Sequence, residues 1–302
     1  MSEELEKWVA AGEVAHKALG KAIDIIDEGS LLLHLAEDLE NYVRQLGAEP
    51  AFPVNISVND IAAHYSPKVK DQVILQLPAV VKIDLGASID GFIADAAITI
   101  TLGLSHTPLV ETAKKALREA EQVLRPGVDL GEVGKRIEIA VTTAGFKPIK
   151  NLSGHSMSRY LLHSGKCVPN VRSGVCGKAN TGEVYAVEPF VTNGRGYVIE
   201  EEEGTIYRVL ALKVTGDDYL DFLLRELWRR YRGLPFSERW VYREWGESGI
   251  DALRKLVSKR RIQFYPVLRE AGNGIVAQFE DTLVLTQKGV LNTTNVLELF
   301  KQ

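Results

Sequence analysis

Apolar residues at Leu5, Trp8, Val9, Gly12, Ala15, Leu19 and Ile23 recur at helical spacing. The repeat breaks at Gly29-Ser30 and resumes from Leu31 to Leu46 before Gly47. The spacing therefore predicts two helices within 3–46. Pro50 and Pro53 then precede alternating apolar positions, which predicts a loop and a short strand over 50–60. From 73 to 103 the chain alternates and is rich in Val, Ile and Thr, with Asp90-Gly91 as a hairpin signal. Helical spacing returns over 107–124, stopped by Arg125-Pro126-Gly127, and over 129–144, ended by Gly145. Short strands and glycine turns are expected over 149–212. From Asp217 to Leu268 the chain is charged, carries Trp228, Trp240 and Trp245, and reads as helices. Strand alternation resumes at 275–286. The predicted class is α+β: a main domain from 1–212 and 271–302, interrupted by a mainly helical insertion at 213–270.

Composition narrows the function without choosing it. The 302 residues are 45% hydrophobic and 25% charged, with a net charge of −4 and mixed signs, so no nucleic-acid stripe or basic membrane helix stands out. No run approaches the roughly 18 apolar residues of a membrane span. The N-terminal segment is acidic and helical in pattern, unlike a secretory signal. Cys167 and Cys176 are the only cysteines. They form no CxxC pair and are expected to be free, passive thiols in a reducing cytoplasm.

Candidate chemistry begins with Asp84 and Asp95, set in apolar strand sequence on either side of the hairpin. If Ile89-Asp90 is the turn, the two face each other. If Asp90-Gly91 is the turn, Asp84 faces Ala97 and lies diagonal to Asp95. Either register puts both on one face. Like charges so placed repel, and burial makes the repulsion worse. A divalent cation would reverse that penalty. His155 in Ser153-Gly154-His155-Ser156, Glu188 in Ala186-Val187-Glu188-Pro189 and Glu280 in Gln278-Phe279-Glu280-Asp281 extend the set. His155 reads as a residue of a glycine-flanked turn. Four carboxylates and one imidazole can hold two cations sharing bridging oxygens. Such donors suit Mn, Fe, Co or Zn better than Ca.

In this order and setting, the residues resemble those of the methionine aminopeptidases, within the wider creatinase/aminopeptidase or pita-bread fold. The likeness runs along nearly the whole chain, through AFPVNIS (51–57), NDIAAHYSP (59–67), KIDLGASIDGFIAD (82–95), NLSGHS (151–156), LLHSGKCVP (161–169), AVEPF (186–190) and QFEDT (278–282). The long span between Glu188 and Glu280 resembles the type II enzymes. The chain lacks a polybasic N-terminal extension, which resembles the archaeal form.

The resemblance implies that Asp84 chelates one metal and that His155 and Glu188 bind the other. Asp95 and Glu280 bridge the pair, whose shared water becomes a hydroxide nucleophile. Glu188 is the implied proton acceptor. His64 and His163 would bind the scissile peptide group and stabilise the oxyanion. Phe52, Pro53, Asn55 and Leu162 would line the methionine slot, while His16, His34 and His106 match nothing.

The implied activity is removal of an N-terminal initiator methionine before a small second residue. The implied partners are N-termini of nascent polypeptides, with the ribosome as a second candidate contact. No membrane, no specific nucleic acid and a monomeric state are expected. The chain's own Met1-Ser2 fits that specificity, so Met1 is expected to be removed. Two rivals share the fold: a catalytically inactive protein- or RNA-binding member, which would lose ligands, and a proline-specific aminopeptidase, which usually carries an extra N-terminal domain.

Overall fold

The computed structural model describes residues 2–104 and 107–301. Met1 and His106 fall outside this range. A long hairpin, Ala79–Ile89 with Phe92–Leu102, organises the chain. Its turn is Asp90-Gly91, both at positive φ (51° and 86°), as the two-residue connection requires. Asp84 therefore stands opposite Ala97, and Asp95 opposite Gly86. This is the second of the two registers that the sequence left open.

Strand alternation decides which face does what. Ile83, Leu85, Ala94, Ala96 and Ile98 point to one side, where they enter the main core. Four helices share that core: α1 (Glu3–Ile25) and α2 (Leu32–Gln45) on the sheet of the hairpin, and α3 (Pro108–Val123) and α4 (Leu130–Thr143) on the strands beyond it. Each contributes a stripe to the core, including Ala11, Ala15 and Leu19 from α1, Leu39 from α2, Leu117 from α3 and Val141 from α4. Ser2 caps α1, and Asp129 caps α4 by accepting from Gly131 N. Asp84 and Asp95 are left on the opposite face.

A five-stranded antiparallel sheet joins the edge of the hairpin through the Ala97–Glu280 bridge, in the order Gly289–Asn292, Asp281–Thr286, Val184–Val187, Ser153–Met157 and Cys167–Pro169. Beside it, Phe190–Thr192 pairs with Val276–Gln278. His155 is thus on a strand and not in a turn. Gly154 serves close approach instead: a Cβ there would sit 2.3 Å from the Ala186 carbonyl oxygen of the neighbouring strand.

The segment rich in tryptophan has its own core. Helices α5 (Asp218–Tyr231) and α6 (Glu238–Ser258) enclose Leu223, Leu227, Phe236, Trp240, Leu253 and Leu256. Trp228 and Trp245 pack against this cluster half-buried. It also draws in Val209 from the strand Ile206–Val209, which pairs with Ile262–Tyr265.

The cysteines depart from expectation. Cys167 and Cys176, read from the sequence as free thiols, form a disulfide with Cα atoms 5.2 Å apart. Their spacing matches no disulfide motif. The intervening loop is turned back against α4, where Arg172 N donates to Glu138 Oε2 (3.1 Å), and the chain just beyond Cys176 is tied there by Leu130 N to Gly177 O and Ala179 N to Val128 O. The support that cysteine usage lent to a reducing compartment is thereby removed. A disulfide does not exclude the cell interior either, since intracellular proteins of hyperthermophiles carry them. No described helix is long and apolar enough to cross a membrane. Of the unmatched histidines, His16 donates through Nδ1 to the Thr294 carbonyl (2.7 Å) and His34 is exposed.

Candidate metal centre and substrate cleft

Two adjacent cross-strand rows carry the five candidate ligands. In the first, Asn55 pairs with Asp84, Asp84 with Ala97, and Ala97 with Glu280 through an isolated bridge. The row continues to Glu188. Val187 pairs with Asp281 and Phe190 with Gln278, so the same register across the break sets Glu188 opposite Glu280. In the second row, Asp95 exchanges hydrogen bonds with the Thr282 hydroxyl (2.8 and 2.7 Å), Thr282 pairs with Ala186, and Ala186 pairs with His155. The ligands come from segments far apart in sequence, yet sheet register brings them together.

Asp95, His155 and Glu280 are buried and present ligand atoms within 4.8 Å of one another. His155 Nε2 lies 3.4 Å from Asp95 Oδ2 and 3.6 Å from Glu188 Oε1. Among the described residues, no Lys or Arg forms an ion pair with any of the four carboxylates. Gln278 Nε2 donates to Glu280 Oε2 (3.1 Å) and, more weakly, towards Glu188 Oε2 (3.4 Å). One buried oxygen, Asp84 Oδ1, has no partner.

The electrostatics follow from that crowding. Burial, then the charge of Asp95, raises the Asp84 carboxyl well above its ordinary range. Burial raises Asp95 to about 7. Burial, then Asp95 and other carboxylates, raises Glu188 and Glu280 as well. Without a cation these groups resist ionising together. Burial lowers His155 to about 4, which keeps its imidazole neutral and able to ligate. The orphaned Asp84 oxygen, the clustered carboxylates and the neutral imidazole fit divalent cations.

A cavity of about 240 Å³ opens onto this cluster. That is below the roughly 300–1,000 Å³ of drug-sized pockets, so it suits one side chain and its peptide link. Phe52, Asn55, His64, Leu162 and His163 all line it, with the five candidate ligands. Phe52 and Leu162 belong to one apolar cluster with Trp8, Ile93 and Met157, which fixes that wall. Pro53 does not line the cavity. It is buried behind the wall, and its carbonyl accepts from Asn55 Nδ2 (2.8 Å).

His64 Nδ1 is 3.1 Å from the Pro266 carbonyl. A carbonyl only accepts, so Nδ1 carries the proton and neutral His64 keeps an open lone pair on Nε2. Burial lowers its pKa to about 4. Its backbone is left-handed (φ 64°), a rare state for histidine, held here at the cleft. His163 is accessible from the cleft, with its ring centroid 4.2 Å from that of His155. Desolvation by the walls, then His155, His64 and Arg208, holds His163 below its ordinary range.

Sequence reasoning missed two residues. Tyr265 lines the cavity beside both histidines, at centroid distances of 5.5 Å to His64 and 6.4 Å to His163. Nothing local in the sequence marks it, because it arrives from the far end of the segment around α5 and α6. Gln278 was legible in principle: it stands two residues before Glu280 on one strand path, hence on the same face.

Residues 6–287 match the model of metallopeptidase family M24. The methionine aminopeptidase of Methanocaldococcus jannaschii is 44% identical over 292 residues, covering 97% of this chain and 99% of that one. Among solved structures, the methionine aminopeptidase of Thermotoga maritima has a TM-score of 0.72 at 22% identity, covering 97% of both chains. A thermophilic Arx1 has a TM-score of 0.83 at 16% identity, covering 100% of this chain and 98% of that one. At such identities the two structures show the fold alone, the pita-bread fold.

Proposed function

Since this chain belongs to metallopeptidase family M24, among the archaeal type II methionine aminopeptidases, we propose that Asp84, Asp95, His155, Glu188 and Glu280 hold two divalent cations at the cleft where an initiator methionine is cut off. The enzyme is an aminopeptidase, and its substrates are N-termini of newly made polypeptides. The observation that carries the site assignment is the pair of adjacent rows, which collects four carboxylates and one imidazole with no Lys or Arg among the described residues in an ion pair with them. When bound, a divalent pair supplies Lewis acidity and brings water to nucleophilic strength near neutral pH.

The side chains supply the rest. Glu188 takes the proton of the attacking water and passes it to the leaving amine. His64 accepts the peptide N–H through its open Nε2 lone pair. His163, accessible from the cleft, donates to the oxygen on which charge develops. Phe52 and Leu162 hold the methionine side chain against an apolar wall. Asp84 and Asp95 share one face because of the hairpin register. The metal is Mn, Fe, Co or Zn by donor chemistry. The cytoplasm is the proposed location, because the substrate is made there.

The decisive experiment adds each metal to chelator-stripped protein and measures methionine release from Met-Ala-Ser and Met-Lys-Ser. Release from Met-Ala-Ser only with metal is expected. Overpacking by the larger second residue costs about 1–3 kcal/mol, which is roughly 5- to 150-fold in rate. Full turnover without metal would sink the two-metal reading. Metal binding with no release from any methionyl peptide would favour an inactive binding protein.

A further inference from the structure

Asn55 is 3% exposed, yet it lines the cleft. Its amide orientation is fixed. Nδ2 donates to the Pro53 carbonyl at 2.8 Å, and a carbonyl cannot donate in return, so the other amide atom must be the oxygen. That oxygen, Oδ1, is buried and has no hydrogen-bond partner in the protein. The anchor is the backbone carbonyl of a buried residue. A residue of the cleft wall therefore keeps a buried acceptor with no donor in the protein.

Its surroundings say what the missing donor is. Asn55 stands directly across the ladder from Asp84, on the same face, and Asp84 Oδ1 also lacks a partner. Three residues before Asn55 in sequence, Phe52 forms part of the apolar wall. This corner of the cleft thus offers oxygen acceptors beside an apolar slot. A bound methionyl peptide has few groups that could answer. The thioether carries no N–H or O–H, and the scissile carbonyl is itself an acceptor. The peptide N–H is matched by His64 Nε2. The α-amino group remains, and it carries donors to spare.

We propose that Asn55 Oδ1 accepts a hydrogen bond from the free α-amino group of the substrate, so that Asn55 helps to select a chain terminus over an internal methionine. This rests on the aminopeptidase reading above. It gives Pro53 a job as well, which is to hold the Asn55 amide in the accepting orientation.

The test compares two small competitors of Met-Ala-Ser cleavage: L-methionine and 4-(methylthio)butanoate, the same molecule without its amine. Inhibition constants are measured with the metal-loaded wild type, Asn55→Leu and Asn55→Ala. The metal Kd of each protein is measured by calorimetry. Asn55→Leu keeps the branched shape at a larger volume, and Asn55→Ala cannot overpack if the leucine variant fails to fold. L-methionine should bind about 10- to 100-fold more weakly to the variants, the range for a hydrogen bond to a charged group. The amine-free analogue should bind as it does to wild type, and metal Kd should not move. Equal weakening of both competitors, or no weakening of either, overturns the proposal. A shift in metal Kd also overturns it, since Oδ1 would then act on the metal site. Failure of the wild type to release methionine with any metal would instead remove the aminopeptidase reading.

Discussion

Arg239 on α6 and Glu40 on α2 form a buried bidentate ion pair, with Nη2 2.6 Å from Oε1 and Nη1 3.1 Å from Oε2. Glu40 also accepts from Trp240 Nε1 (2.7 Å) and from Val54 N (3.3 Å), while Arg239 Nε donates to the Pro67 carbonyl (2.9 Å). One carboxylate therefore joins the tryptophan-rich segment to the loop that carries Phe52 and Asn55. The guanidinium fork matches the carboxylate plane, and the remaining lone pairs are occupied.

Removing one side of this pair strands the other charge in a dry interior. Glu40→Gln and Arg239→Met should each lower unfolding free energy by about 3–5 kcal/mol. Denaturant melts would show it. Trp240→Ala should likewise lose folding stability before it loses metal. A Trp240→Ala protein that folds normally but no longer binds metal would contradict the separation of the two cores. Wild-type stability in Glu40→Gln would mean the pair contributes nothing.

Glu188→Gln preserves shape and removes both the basic oxygen and one ligand charge. A loss in kcat of at least ~100-fold is expected, the low end of general-base contributions. Equilibrium binding of a methionyl peptide should survive. A change of only a few-fold would place the proton acceptor elsewhere.

His64 sets a pH dependence of stability. Burial lowers its pKa from 6.5 to about 4, so the unfolded chain takes up the proton first as pH falls. A lowered folded pKa contributes stability that is present above 6.5 and lost as pH falls through about 4. The loss should reach at most ~3 kcal/mol. His64→Asn is the appropriate control, because asparagine tolerates the left-handed backbone at this position. The stability difference between wild type and His64→Asn, measured without metal at pH 7.5 and pH 4, should shift against wild type at the acid end. A pH-independent difference would mean that the ring is not desolvated as described.

The disulfide makes a simple prediction. Denatured, unreduced protein should expose no free thiol, since Cys167 and Cys176 are the only cysteines. Cys176→Ser should cost about 2–4 kcal/mol, the usual range for a native crosslink. Cys167 pairs across the ladder with His155, so the variant should also loosen metal binding modestly. Two titratable thiols in the unreduced protein would refute the bond.

The sequence alone determined the local geometry. Alternation from 79 to 102 and the Asp-Gly turn place Asp84 and Asp95 on one face, because strand period and hairpin register are properties of adjacent residues. The helical stripes of α1 to α4 were legible for the same reason. The five candidate ligands could be listed from their settings in the sequence, but their separate roles and those of the cleft histidines were legible only as a resemblance. No local rule says that Glu188 and Glu280, 92 residues apart, should share a row.

Tertiary structure decided what depends on contacts between distant segments. The common register of the two broken strands sets Glu188 against Glu280, and the Ala97 bridge adds Asp84 to the same row. Folding back of the 170–178 loop joined two cysteines whose spacing signals nothing. Tyr265 entered the cleft from a segment with its own core, and Pro53 was turned away from it. The physical reason is the same in each case. Backbone periodicity is fixed by nearest neighbours, whereas strand partners and cavity walls are chosen by the burial of surfaces brought together from across the chain.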